Sequence, residues 1–421
     1  MSNNTTDKTI RDPHRRKLLG GVVAGALTLP ALSHAKQTID NQSESQNDRI
    51  DLTQSIPFYG KAGQAGITTP PQRHCIFMTF DVTCKDKAAL QVLLARWSSA
   101  IAQLMAGQPV GQVEPTRPHA IGLDSGEALG LAPAALTVTL GLGPGLFDHR
   151  FGLQHRRPAL LTPLPALPSD NLQPELTGGD LSLQACADDP QVAWHAIRVL
   201  SRIANTLSSA STRWTVMGFG RASAGKEQST PRNLFGFKDG TRNITEPADF
   251  HQHVWINQGA KWQHHGCYQV VRKIRMHIEN WDTDRVSDQN QVFGRFKVSG
   301  APLSGEHEFD PPQFDKKNTE GELLIPVNSH IHLAAHEHNE GIRILRRSYN
   351  YTDGLNTVGQ LDAGLLFVSY QNDPDHFVRI QKKLGASDAL NEYISHIGSA
   401  LFYIPPAPQP GSYLGAWLFE A

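Results

Sequence analysis

Cysteine is scarce in this chain: Cys75, Cys84, Cys186 and Cys267 are the only four in 421 residues. No two of them form a C-x-x-C pair, so zinc-ribbon and thioredoxin-like readings lack support. Four in this length do not make a disulfide scaffold either, and they read as buried apolar side chains. Net charge is missing as well. Lys plus Arg number 39 and Asp plus Glu 40, so no net field invites nucleic acid. Long apolar runs are also absent. The stretch 18–32 is broken by Gly20, Gly21, Gly25 and Pro30, and it is shorter than the ~20 residues a spanning helix needs. No close repeat relates the two halves, so duplication can be inferred only from the order of elements.

What the N-terminus does contain is a twin arginine, Arg15-Arg16, ahead of that short apolar run, with Ser33-His-Ala35 after it. Charged, apolar and small-residue regions in this order resemble a twin-arginine export signal. The expectation is a signal peptide over 1–35, cut after Ala35, that delivers the folded protein to the periplasm. Residues 36–56 are rich in Gln, Asn, Ser and Asp and read as a loosely attached polar leader.

From Ile56-Pro-Phe-Tyr-Gly60 onward the sequence can pack. Residues 75–82, 136–140, 180–186 and 213–219 have the β-branched and aromatic content of strands. Residues 87–105 carry Leu90, Leu93, Leu94, Trp97, Ile101 and Leu104 at helical spacing, and 192–207 repeats the pattern with Trp194, Ile197 and Leu200. Strand–helix–strand–strand–helix–strand is the order of a ferredoxin-like unit. A second such series follows, with strands expected at 268–278, 342–349, 364–370 and 401–404 and helices at 377–383 and 389–397. The predicted class is α+β: two ferredoxin-like halves with antiparallel sheets, 57–220 and 221–421. The segment 285–340 is long for a connection, and long loops in compact units tend to be functional.

Chemistry concentrates in three places. Asn233-Leu-Phe-Gly-Phe-Lys-Asp-Gly-Thr-Arg-Asn243 buries a carboxylate, Asp239, in an aromatic, glycine-rich context. A carboxylate in such a setting is costly without a cationic partner or a task. Ser329-His-Ile-His-Leu-Ala334 opens a histidine cluster, and Ile342-Arg-Ile-Leu-Arg-Arg-Ser-Tyr-Asn-Tyr351 supplies arginines. Adjacent strand residues face opposite sides, so only one of Arg346 and Arg347 can point into a site shared with Asp239. On composition alone His330, His332, His336 or His338 could ligate a metal, and His336-Glu-His338 offers a non-haem alternative.

The three elements together resemble the signatures of the dye-decolorizing (DyP-type) haem peroxidases, over a span from about Ile56 to near the C-terminus. The resemblance implies a dimeric α+β barrel type of fold with one haem b per chain, held in the C-terminal half. It makes His330 the axial iron ligand, and Asp239 and Arg346 the catalytic pair. It also places Gly240, Thr241 and Arg242 beside the cofactor. An axial histidine normally donates its second nitrogen to an acceptor, and Asp362 is the expected one. The family's Ala-Asn-Pro-Arg after the axial histidine is not matched here, where the segment reads Leu333-Ala-Ala-His-Glu-His338 without the Asn-Pro or the Arg, so His338, Arg242 or Arg347 would have to take over the propionate contact. Implied substrates are hydrogen peroxide and bulky aromatic reductants. The export signal favours the deferrochelatase/peroxidase branch of ferrous-iron uptake, which implies iron release from haem with the porphyrin intact, iron-uptake membrane components as partners, and a homodimer. The alternative is a periplasmic haem-binding or haem-delivery protein without turnover.

Overall fold

A computed structural model describes residues 50–220 and 229–420; the expected signal peptide and most of the polar leader lie outside them. The first half runs β1 (His74–Val82), α1 (Lys87–Met105), β2 (Thr137–Leu142), β3 (Leu181–Ala187), α2 (Pro190–Thr206) and β4 (Ala210–Phe219). Asp86 caps α1 by accepting the Ala89 N–H at 2.8 Å. Asp189 caps α2 through Gln191 and Val192, with Pro190 as the first helical residue. Side-chain caps of this kind satisfy N–H groups that have no partner within the helix. The six apolar positions of α1 read from the sequence are all buried.

The second half contributes β5 (Cys267–Met276), the two-residue β6 (Leu345–Arg346), β7 (Tyr349–Leu355), β8 (Leu361–Gln371), the helix Pro374–Ser387 and β9 (Ile394–Ile404). Hydrogen bonding runs β5-β9-β2-β3-β1-β4-β7-β8, and β8 pairs back to β5, so eight strands close into a ring with β6 on the side. Within the first half the order is β2-β3-β1-β4, and within the second β7-β8-β5-β9. Numbering each half's strands in its own chain order, both are second-third-first-fourth, the arrangement of a ferredoxin-like unit. Narrow seams join the halves: Leu142↔Tyr403 on one side, and Gly218↔Tyr351 with Phe219↔Asn350 on the other.

Strand periodicity divides the second half's side chains between two faces. Val271, Leu366, Val368 and Tyr370 join a core with Phe77, Cys186 and Phe402 from the other strands of the ring, on its inner side. Arg272, Ile274, Met276, Leu365 and Phe367 face outward. In the first half α1 and α2 fill the outer face with an apolar core. In the second half one long helix and the connection 277–340 cover it, and a cavity lies between them and the sheet.

Three expectations need correction. Residues 389–397 are not a helix: a single turn at Ala389–Glu392 gives way to β9, which pairs along β5 from Met276↔Ile394 onward. Pairing with β5 outweighs the local periodicity. The strand expected at 342–349 splits into β6 and β7, both paired with β8. The end of the polar leader is docked: the carbonyls of Leu52 and Gln54 accept from Ala134 and Ala135, and Ser55 Oγ donates to the Met105 carbonyl.

Candidate active site

The loop around Asp239 is shaped by its own residues. Asn233 Oδ1 accepts from the N–H groups of Phe235 and Phe237, and Asp239 N–H donates to the Pro231 carbonyl at 2.8 Å. Gly236 and Gly240 have φ of 85° and 123°, angles that L side chains rarely adopt. Phe235 and Phe237 are buried and anchor the loop: Phe237 stacks on Phe293 at 4.1 Å, and Phe235 lies 4.5 Å from Trp281. Phe293 in turn contacts the His330 ring, 6.1 Å between centroids. One aromatic cluster thus fixes the carboxylate loop relative to the histidine.

Asp239 Oδ1 accepts from Arg346 Nη1 at 2.8 Å. Asn243, four residues further on, clamps the arginine's backbone: its Nδ2 donates to the Arg346 carbonyl at 2.7 Å and its Oδ1 accepts the Arg346 N–H at 2.8 Å. Glu308 braces the loop from behind, accepting from Lys238 and Thr241. Burial raises its pKa, but hydrogen bonds from Lys238, Thr230 and Thr241 outweigh that and keep it below the usual carboxylate range. Arg347 faces the other way, buried in the inner core and bonded to the Thr69 carbonyl and Gln72.

His330 begins the short helix His330–Ala334, and its Nδ1 lies 2.7 Å from Asp388 Oδ2. Asp388 is itself fixed, because its Oδ1 accepts the Leu390 N–H. A carboxylate here requires the proton on Nδ1, so the Nε2 lone pair is left for the cavity that His330 lines. Burial lowers the His330 pKa, yet the charge and hydrogen bond of Asp388 more than offset it, and the net shift is upward.

Both pairs converge on one cavity of about 1570 Å³, its open mouth included. Its walls are largely apolar, from Ile274, Met276, Phe367, Phe377, Ile380 and Leu384. Arginines border it: Arg346 is held by Asp239, Arg272 by Asp170, Arg343 by Asp249, and Arg242 by Glu337. Arg295 differs. It is 5% exposed and donates only to the carbonyls of Gly300 and Glu308. Burial, then repulsion from Arg242, pulls its pKa down to about 10, which still leaves it a cation. The cavity therefore carries an uncompensated positive charge and one imidazole with a free lone pair, which suits a large flat apolar ligand bearing carboxylates and a metal.

Of the residues expected from the sequence, the structure gathers Asp239, Gly240, Thr241, Arg242, His330 and Arg346 around this cavity. Two others are elsewhere. Asp362 is not the acceptor for His330; it pairs with Arg275 at 2.9 Å, across strands, and Asp388 takes the role. His338 turns away from the cavity, its Nδ1 donating to the His332 carbonyl at 2.7 Å and its ring tilted against His332 and Phe314. Among 336–338 only His336 lines the cavity, and Glu337 is committed to Arg242. Asn243 and Asp388 were missed. Asn243 stood inside the motif; Asp388 lies 58 residues from His330, with no sequence signal beyond its position as a helix cap.

Residues 64–220 match the family model described as Dyp-type peroxidase, N-terminal, and residues 230–409 match Dyp-type peroxidase, C-terminal. The chain is 38% identical to a protein named Deferrochelatase from Yersinia pestis, over 99% of this chain and 96% of that relative. It is also 38% identical to a Deferrochelatase from Shigella flexneri, over 98% of each. Among solved structures, a DyP-type peroxidase from Streptomyces coelicolor superposes with a TM-score of 0.81 at 38% identity, covering 88% of this chain and 98% of that one. Ferric DtpA from Streptomyces lividans gives 0.81 at 39% identity with the same coverage.

Proposed function

This chain belongs to the Dyp-type peroxidase family and is a haem peroxidase, and we propose that His330 holds the haem iron while Asp239 and Arg346 carry the peroxide chemistry. The observation behind this reading is the convergence of two braced pairs, Asp239–Arg346 and His330–Asp388, on one large apolar cavity. Haem supplies the iron at which the O–O bond of peroxide is cleaved. His330 would hold the iron through Nε2, and Asp388 on Nδ1 would give the imidazole anionic character. Arg295, Arg242 and Arg343 are the cations suited to the cofactor's carboxylates. The altered segment at 335–338 leaves Arg242, oriented by Glu337 and His336, as the arginine at that edge.

Asp239 has Oδ1 on Arg346, and its Oδ2 takes the proton of the incoming peroxide and returns it to the departing oxygen. Arg346 stabilises the negative charge that grows on that oxygen. Asn243 holds the arginine's backbone so that neither group must reorganise during the reaction. Bulky aromatic compounds are the proposed reductants. The test is rapid mixing with hydrogen peroxide, following the Soret band. Asp239→Asn and Arg346→Leu should both retain haem and slow the peroxide-driven change, each by about 10²-fold or more. A wild-type rate in either variant removes that residue from the mechanism.

A second reading is favoured by the full-length likeness to proteins named Deferrochelatase: haem as a substrate from which iron leaves with the porphyrin intact. Anaerobic incubation with excess haem and a ferrous chelator should then give porphyrin fluorescence. Fluorescence that needs peroxide would mean oxidative damage and leave the peroxidase reading alone. For location we propose export through Arg15-Arg16; changing both to Lys should retain the protein in the cytoplasm, and periplasmic material should begin at Lys36.

A further inference from the structure

β1 and β3 set Cys75 directly opposite Cys186 in antiparallel register, and both are fully buried. Facing residues on antiparallel strands have Cα atoms ~4.5–5.5 Å apart, within the ~4.4–6.8 Å that disulfides bridge. The pair lies in the inner core, away from the haem cavity, with Tyr349 and Tyr370 beside it. Tyr349 Oη is 3.7 Å from Cys186 Sγ. Gly218, opposite Cys75 on β4, permits this closeness: a Cβ there would come within 2.6 Å of Tyr349 Cβ.

Arg347 gives the pair its chemical character. It is 1% exposed, it donates to the Thr69 and Pro70 carbonyls and to Gln72, and its side chain also bonds Cys186. A buried guanidinium with neutral acceptors is costly unless a group able to carry negative charge faces it. Burial opposes its charge, while Tyr349, then Cys186 and Tyr370, favour it; Asp188 also feels its charge, after burial, Arg73 and His74. Burial pushes the Tyr370 hydroxyl well up, which keeps it neutral. Cys267, in the same core, shows what burial alone does to a thiol: it rises well above the usual range. Burial acts in the same sense on Cys186, but contacts with Cys75, Arg347 and Tyr349 override it and bring the thiol down. Arg347 thus favours the ionised form of Cys186, and a thiolate is the reactive form of cysteine.

We propose that Cys75 and Cys186 are an internal thiol pair that hydrogen peroxide closes to a cross-strand disulfide, with Cys186 as the attacking sulfur. The Cys186 thiolate displaces hydroxide from peroxide and becomes a sulfenic acid. The Cys75 thiol then attacks that sulfur and expels water, while the hydroxide takes up the proton Cys186 had released. Two electrons leave the sulfurs, one peroxide is reduced, and two waters form. Local opening admits so small an oxidant to a buried site. Closure removes the ionisable thiol facing Arg347, one residue from Arg346.

The experiment treats the holoprotein with rising hydrogen peroxide and no electron donor, then quenches in acid, alkylates the unfolded chain and maps peptides by mass spectrometry. The expected result is a Cys75–Cys186 linked peptide that accumulates while Cys84 and Cys267 are still alkylated. Cys84 is the discriminating comparison, because it is the most exposed of the four and accessibility alone would oxidise it first. In Cys186→Ser, a near-isosteric change, Cys75 should stay a thiol. Oxidation of Cys84 first, sulfinic acid on Cys186 with Cys75 untouched, or equal oxidation of Cys75 in Cys186→Ser would each overturn the proposal.

Discussion

At the scale of residues, the site depends on how each functional group is held by a second one. Asp388 fixes the tautomer of His330, and loss of such a partner typically costs about 10- to 100-fold in metal affinity or activity. Asp388→Ala should therefore weaken haem retention by about that factor, measured by transfer of haem to apomyoglobin, with the fold intact by circular dichroism. Unchanged retention would show that the hydrogen bond is incidental. Asp239 stood out in the sequence as a carboxylate among phenylalanines, whereas His330 among four clustered histidines, and Arg346 beside Arg347, were singled out by the family resemblance and not by composition. Asp388 could not be read from sequence, since its partner is fixed by tertiary contact. Asp362, at a strand entrance, is not the partner of His330, because Arg275, beside it across the β5–β8 pairing, bonds both its carboxylate oxygens.

Among elements, the loop 230–243 and the short strand β6 behave as one piece because Asn243 bonds both polar groups of the Arg346 backbone. Asn243→Ala leaves those groups unpaired and should cost about 1–3 kcal/mol of stability, seen as a lower midpoint in urea. It should also slow the peroxide reaction, although Asn243 itself bonds neither Asp239 nor the arginine's guanidinium. A stability loss with a normal peroxide rate would limit it to scaffolding. The helices α1 and α2 were readable from sequence because their apolar spacing and aspartate caps agree. The 389–397 region was not. Its apolar spacing fits a helix, yet Asp388 caps a single turn and β5 recruits the rest into β9. Pairing between distant strands leaves no mark in a local window.

Considered as a whole, the molecule is two ferredoxin-like halves closed into one ring, with the inner core binding the halves and the outer face of the second half left open for the cofactor. Packing at the Gly218 seam is tight enough that Gly218→Ala, which sets a methyl against Tyr349, should cost about 1–3 kcal/mol. Acid should act through the cavity wall. Burial, aided by Arg272, drives His396 down to about 3, so the unfolded chain binds a proton there between pH 6.5 and 3 that the folded chain refuses. Stability from this group is complete above pH 6.5 and declines as pH falls toward 3. Melting temperatures of His396→Gln should thus fall less steeply than wild type from pH 7 to pH 4; parallel curves would rule the residue out. The central claim, that His330 is the single axial anchor of one haem per chain, is tested most directly by titrating haem into apoprotein of wild type and His330→Ala, with and without free imidazole. The account predicts a stoichiometric, histidine-ligated Soret spectrum for wild type, its loss in the variant, and its return with imidazole. A histidine-ligated spectrum in His330→Ala without imidazole would contradict it.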